Sequence, residues 1–173
     1  MSQQDSHASH DEVDRIIAGW HRALPALDTR PMAVASRLWR IARHLDNARR
    51  SAFAAAELEA WEFDMLSALR RSPSGTLSPG ALGEQTMVTS GTVSTRLDKL
   101  AARGLVRRER NPDDGRGVRV RLEAEGETRV DQAITALVDA EARLLTPLGD
   151  GDREQLAGLL RLLLLGFEHP DEV

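Results

Sequence analysis

Between residues 78 and 121, hydroxyl and guanidinium side chains recur at spacings suited to phosphates and base edges. Ser78 stands before Pro79, the order expected of an N-cap followed by the first residue of a helix. Thr89 or Ser90 caps a second helix that runs to about Arg103, and Gly104 stops it. On that second helix Val93, Leu97 and Leu100 share one face and must pack inward, while Thr92, Thr95, Arg96, Lys99 and Arg103 lie away from it. Hydroxyls at such a helix start can reach base edges, and the helix N-terminus itself favours phosphate. Thr89, Ser90, Thr92 and Thr95 are therefore the expected groove contacts, with Ser78, Arg96 and Lys99 beside them. Farther on, Asp114 and Arg116 stand two apart. An arginine there can enter a narrow minor groove, with the aspartate holding its guanidinium extended.

The elements that must position these groups are legible in outline. Leu105 to Arg110 and Gly117 to Leu122 read as paired strands around the turn-forming stretch Asn111 to Arg116. Ahead of them come short helices at about 59–71, 79–86 and 89–103, the first ending at Ser72-Pro73-Ser74-Gly75. Three helices followed by a hairpin form a winged helix-turn-helix over residues 59–123. Charge agrees with this reading. Residues 96 to 121 hold nine basic and four acidic groups, a net of +5, so the −4 of the whole chain hides an acidic remainder of −9. Phosphate neutralisation is local, and a basic stripe on an acidic body suffices for it.

Flanking helices complete a mainly α chain. Residues 1–9 are polar and read as a disordered tail, with a second tail at 169–173. Residues 10–58 carry an amphipathic helix at 10–24 and a longer one at 32–58, separated by Pro25 to Pro31. Residues 124–168 hold two more helices, broken between Pro147 and Gly151. The last helix is apolar nearly all round, from Leu156 through Leu165 to Phe167. A single face cannot bury such a helix, so a second copy of the chain is the expected partner, with burial in the chain's own core as the competing reading.

The segment GALGEQTMVTSGTVSTRLDKLAARGLVRRERNPDDGRGVRVRLEAEG closely resembles the DNA-binding part of MarR-family regulators. The resemblance extends in outline over residues 32 to 168. It implies a dimer built from the N- and C-terminal helices, binding double-stranded DNA at a palindromic operator and acting on transcription. The added first helix also resembles the urate-responsive HucR/PecS-type subgroup. That subgroup is associated with a tryptophan on the added helix, an aspartate before the helix-turn-helix, and arginines on the recognition helix and the first wing strand. The matching positions here are Trp20, Asp64 in WEFDML, Arg96 in TRLDKL and Arg108 in LVRRER. The resemblance thus implies a small anionic aromatic or carboxylate effector, possibilities including urate. In it, Asp64 sits near Arg96 until the anion arrives and shifts the recognition helix. Each residue also has a plainer role: Trp20 in packing, Asp64 in an ion pair, Arg96 on phosphate.

Other functions are disfavoured. The chain has no cysteine, and it lacks a P-loop, a dinucleotide-binding glycine motif and an HExxH pair, so an enzyme is not expected. No cofactor and no metal site are expected either. No run of about 18 apolar residues occurs and the first ten residues do not read as a signal peptide, so the expected location is the cytoplasm, away from membranes. The remaining alternative is a protein of the same fold that binds DNA architecturally, without a small-molecule response.

Overall fold

The computed structural model describes residues 10–110 and 117–168. Its helices and strands fall into two compact units, one through Asn47 and one from Ala48 onward.

In the first unit, α1 (Glu12–Ala23) opens with a reciprocal cap: the Asp14 amide donates to Asp11 and the Asp11 amide to Asp14, each at 3.0 Å. Arg37 then donates to both carboxylates, at 2.8 Å to Asp11 and 2.7 Å to Asp14. Buried Thr29 meets His21 at 2.9 Å across the connecting turn. Helix α2 (Arg30–Ala55) begins two residues before the expected start, because Pro31 is tolerated in a first turn where its missing N–H costs nothing. It also ends three residues before the expected Leu58. Glu57 adopts a left-handed conformation (φ 54°), and the Leu58 amide turns back to the Phe53 carbonyl at 2.8 Å.

The second unit is built on α3 (Ala60–Arg71), whose Phe63, Met65, Leu66 and Leu69 are buried. Phe63 stacks on Phe53, with ring centroids 4.1 Å apart, which draws the end of α2 into this core. Next come β1 (Thr76–Leu77), α4 (Pro79–Thr86), α5 (Ser90–Ala102), β2 (Val106–Arg110), β3 (Val118–Leu122), α6 (Ala124–Leu144) and α7 (Asp150–Glu168). The wing strands β2 and β3 pair antiparallel as expected, with Arg108 opposite Val120. A third strand extends the two-stranded wing: β1 pairs with β3, so the sheet order is β1-β3-β2. Two residues are too few to show an alternation, which is why Thr76–Leu77 reads as loop in the sequence.

Leu82 from α4, Val93, Leu97 and Leu100 from α5, and Val120 from β3 close over α3, and Val130, Ala133 and Leu137 of α6 cover the other side. The first turn of α6 lies against the entry to the wing, where the Glu123 amide donates to the Leu105 carbonyl at 3.0 Å. A side chain at Gly126 would collide with that same carbonyl, so only glycine fits there. Helix α7 has no buried residue; Leu162 is 69% and Phe167 82% exposed. Among the described residues no helix is long and apolar enough to cross a membrane.

Candidate nucleic-acid interface and effector site

The recognition helix α5 presents the hydroxyls that the sequence singles out, and it uses several of them locally. Thr89 is the N-cap, accepting from the Thr92 amide at 3.5 Å and meeting the Thr92 hydroxyl at 3.0 Å. Thr95 donates back to the Gly91 carbonyl at 3.1 Å, leaving its lone pairs outward. Ser78 caps α4, accepting from the Ala81 amide at 3.1 Å, and its own O–H stays available to donate. Thr89, Ser90, Thr92, Thr95 and Lys99 are all exposed along one side of α5, and buried Val93, Leu97 and Leu100 hold the other. Asp114 and Arg116 lie outside the described residues.

Two groups stand out among the described cations of the basic stripe. Arg103, Arg107, Arg108 and Arg121 are held by carboxylates of the chain itself. Arg103 meets Glu62, which is only 3% exposed, at 2.6 Å, and it also donates to the Glu57 carbonyl at 2.7 Å. Arg107 reaches Glu123 at 3.1 Å. Arg121 bonds Glu109 at 3.1 Å and, with Arg107 also beside it, holds that carboxyl below the usual glutamate range. Arg96 and Lys99 have no carboxylate partner among the described residues. Their charged heads instead sit over the Trp61 ring, 5.4 and 5.9 Å from its centroid.

The four expected effector residues lie on the expected elements, but Asp64 has a different partner. Trp20 is on α1 in the first unit and is 44% exposed. Asp64 pairs with Arg49 at 2.7 Å rather than with Arg96. The reason is positional: Arg49 on α2 reaches the Asp64 carboxylate, while the Arg96 guanidinium is taken up by Trp61, one helical turn earlier on α3. Arg108 ties the wing to the recognition helix, at 2.6 Å to Asp98 and 3.1 Å to the Ser94 carbonyl. Asp64 does border a cavity of about 510 Å³, together with Arg49, Ser67, Arg71, Gln85 and Thr86. Neither Arg96 nor Arg108 lines it.

Sequence reasoning missed Trp61 and Glu62. Trp61 reads as one more apolar position of α3, and nothing in the sequence singles out Glu62. The available signal was the three-residue spacing of Arg96 and Lys99, which sets both cations on one face of α5 facing whatever aromatic packs there.

A sequence profile described as MarR family matches residues 56–117. The chain is 32% identical to the HTH-type transcriptional regulator PecS of Dickeya dadantii (strain 3937) over 154 residues, covering 88% of this chain and 93% of PecS. The chain belongs to the MarR family. Its fold matches that of wild-type apo MarR from E. coli at a TM-score of 0.61 and 26% identity, over 75% of this chain and 96% of that one. It also matches a MarR variant from E. coli complexed with operator DNA, at a TM-score of 0.62 and 23% identity, over 84% of this chain and 97% of that one. As a MarR-family member the chain is a DNA-binding transcriptional regulator and not an enzyme. Arg103 ties the end of α5 to α3 through Glu62, and Arg108 ties the wing to α5 through Asp98.

Proposed function

We propose that this MarR-family regulator is a homodimeric repressor that binds a palindromic operator and is released from it by a small anionic aromatic or carboxylate ligand, with urate one candidate. The observation that carries the dimer is α7, a helix of 19 residues with none buried and with Leu159, Leu162, Leu163, Leu164 and Phe167 exposed. Burying that surface against a second copy removes apolar area from water at about 25 cal/mol per Å². A two-fold dimer carries two copies of α5, which calls for inverted half-sites about one helical turn apart. In this reading Ser78, Thr89, Ser90, Thr92, Thr95, Arg96 and Lys99 meet the DNA, and Asp114 and Arg116 extend the contact at the wing.

For the effector, the cavity beside Asp64 supplies the support. Its volume suits a small planar anion, and Arg49 and Arg71 offer guanidinium donors. An anion entering there competes with Asp64 for Arg49, and α3 passes the change to α5 through Trp61 and Glu62. Trp20, Arg96 and Arg108 enter this reading through their match to the subgroup positions. The engagement of Arg96 by Trp61 and of Arg108 by Asp98 favours a second reading, a DNA-binding protein with no small-molecule response.

Selection of bound DNA from a random pool, followed by release with a panel of purines and organic acids, tests both. Recovery of a palindrome and its release by an anion supports the repressor. Sequence-blind binding with a steep salt dependence and no release supports the architectural alternative.

A further inference from the structure

We infer that Trp61 is a positioning residue for DNA binding, an indole platform on α3 that holds both otherwise unpaired cations of the recognition helix ready for phosphate. This rests on the proposed contact of Arg96 and Lys99 with DNA. Three observations carry it. The Arg96 guanidinium and the Lys99 ammonium lie 5.4 and 5.9 Å from the same ring centroid. The ring is itself fixed, because its Nε1–H donates to Glu59 at 2.6 Å and its body packs against the core around α3. The neighbouring cations Arg103 and Arg108 are neutralised by Glu62 and Asp98, so charge on this part of α5 is left to the two over the indole.

The arrangement has a physical consequence. A cation over an aromatic face keeps its charge, and a stacked guanidinium keeps its in-plane N–H donors, so both can still meet a phosphate. A carboxylate in the same place would cancel the charge and compete with the DNA. Long side chains ordinarily lose rotamer freedom when they bind. Two that are already held by Trp61 have given up much of it before the DNA arrives.

The test is a cycle on the full-length chain with duplex DNA recovered from a random pool, measuring affinity across a range of salt concentrations. Trp61→Leu is expected to weaken binding about fivefold or more, from the ordering of two side chains. Trp61→Phe, which keeps a ring of weaker quadrupole, should lose about twofold. In an Arg96→Gln/Lys99→Gln background, Trp61→Leu should cause no further loss. A loss of equal size in that background would mean that Trp61 acts only as a packing residue, and the proposal would be overturned. Full affinity of Trp61→Leu would overturn it too, provided Arg96→Gln/Lys99→Gln binds weakly. If the double cation variant instead keeps full affinity and salt slope, it is the DNA contact of these two residues that fails, and the platform has no role in binding. Should Trp61→Leu fold poorly by its melting temperature, the Trp61→Phe cycle carries the same comparison.

Discussion

Lys99 on α5 and Arg103 at its C-cap are four residues apart, yet their surroundings give them opposite duties. Arg103 compensates a carboxylate that is almost fully buried, so its removal leaves the Glu62 charge with the Glu59 amide as its remaining hydrogen-bond partner. Arg103→Met is expected to lower stability by about 1–3 kcal/mol, the cost of a buried carboxylate that has lost its counter-charge, as measured by urea unfolding. Glu62→Gln in the same background should recover part of that loss. Lys99 has no carboxylate to satisfy, and its replacement is predicted to act on DNA binding instead. Lys99→Gln should lower the unfolding midpoint only slightly, through the lost contact with Trp61, and reduce the slope of log K against log salt by about 1. Asp64 bears on the effector at this same scale. If an anion displaces it from Arg49, Asp64→Ala should alter the ligand concentration needed for DNA release; an unchanged response to urate and the organic acids would remove Asp64 from the switch.

Between elements, small contacts set the geometry of the reading head. The first turn of α6 can approach the entry to β2 only because position 126 is glycine. Gly126→Ala must push α6 away from Leu105, with an expected cost of about 1–3 kcal/mol from overpacking, read out in a thermal melt. Ion pairs between elements add a pH dependence. Arg70 bonds Asp131 across α3 and α6 at 2.8 Å and holds that carboxyl below the usual aspartate range, as Arg121 does for Glu109 between the wing strands. A lowered folded pKa means that the native state holds its carboxylate against protonation. This stabilisation is complete above the ordinary carboxylate range of about 4 and is lost as pH falls through the lower folded values. The melting temperature should therefore fall with acidification below about pH 4. Arg70→Gln should lower it at neutral pH and flatten that acid limb.

At the level of the whole molecule, α7 decides how the protein assembles. Its leucines and Phe167 form a surface that the second unit leaves uncovered, and the first unit exposes Leu24 and Leu27 after α1 and Val34, Leu38 and Ile41 on α2. If α7 forms the interface between two copies, Leu159→Glu/Leu162→Glu should shift the population to monomer in light scattering at micromolar concentration. The same variant should then lose high-affinity binding to a palindrome while each half-site still binds weakly. A variant that remains dimeric would assign the interface to another surface.

Helix order, the N-caps at Ser78 and Thr89, the Gly104 stop and the wing strands were all legible in the sequence. Each follows from local rules: apolar periodicity, capping oxygens and glycine's tolerance of positive φ (Gly104 sits at 68°). The sequence also showed that residues 96–121 are basic, since charge can be counted without coordinates. It could not show which of those cations are already spoken for. Glu62 and Arg103 are 41 residues apart, Asp64 and Arg49 are 15 apart, and Trp61 lies far from Arg96 in the chain. Such pairings depend on how α2, α3 and α5 pack, and packing is decided by the shared core of Phe53, Phe63 and Leu97 rather than by any local signal. Types and spacing were enough to place Arg96 and Lys99 on the outward side of a recognition helix. Only the tertiary structure put an indole beneath them and Arg49, rather than Arg96, beside Asp64.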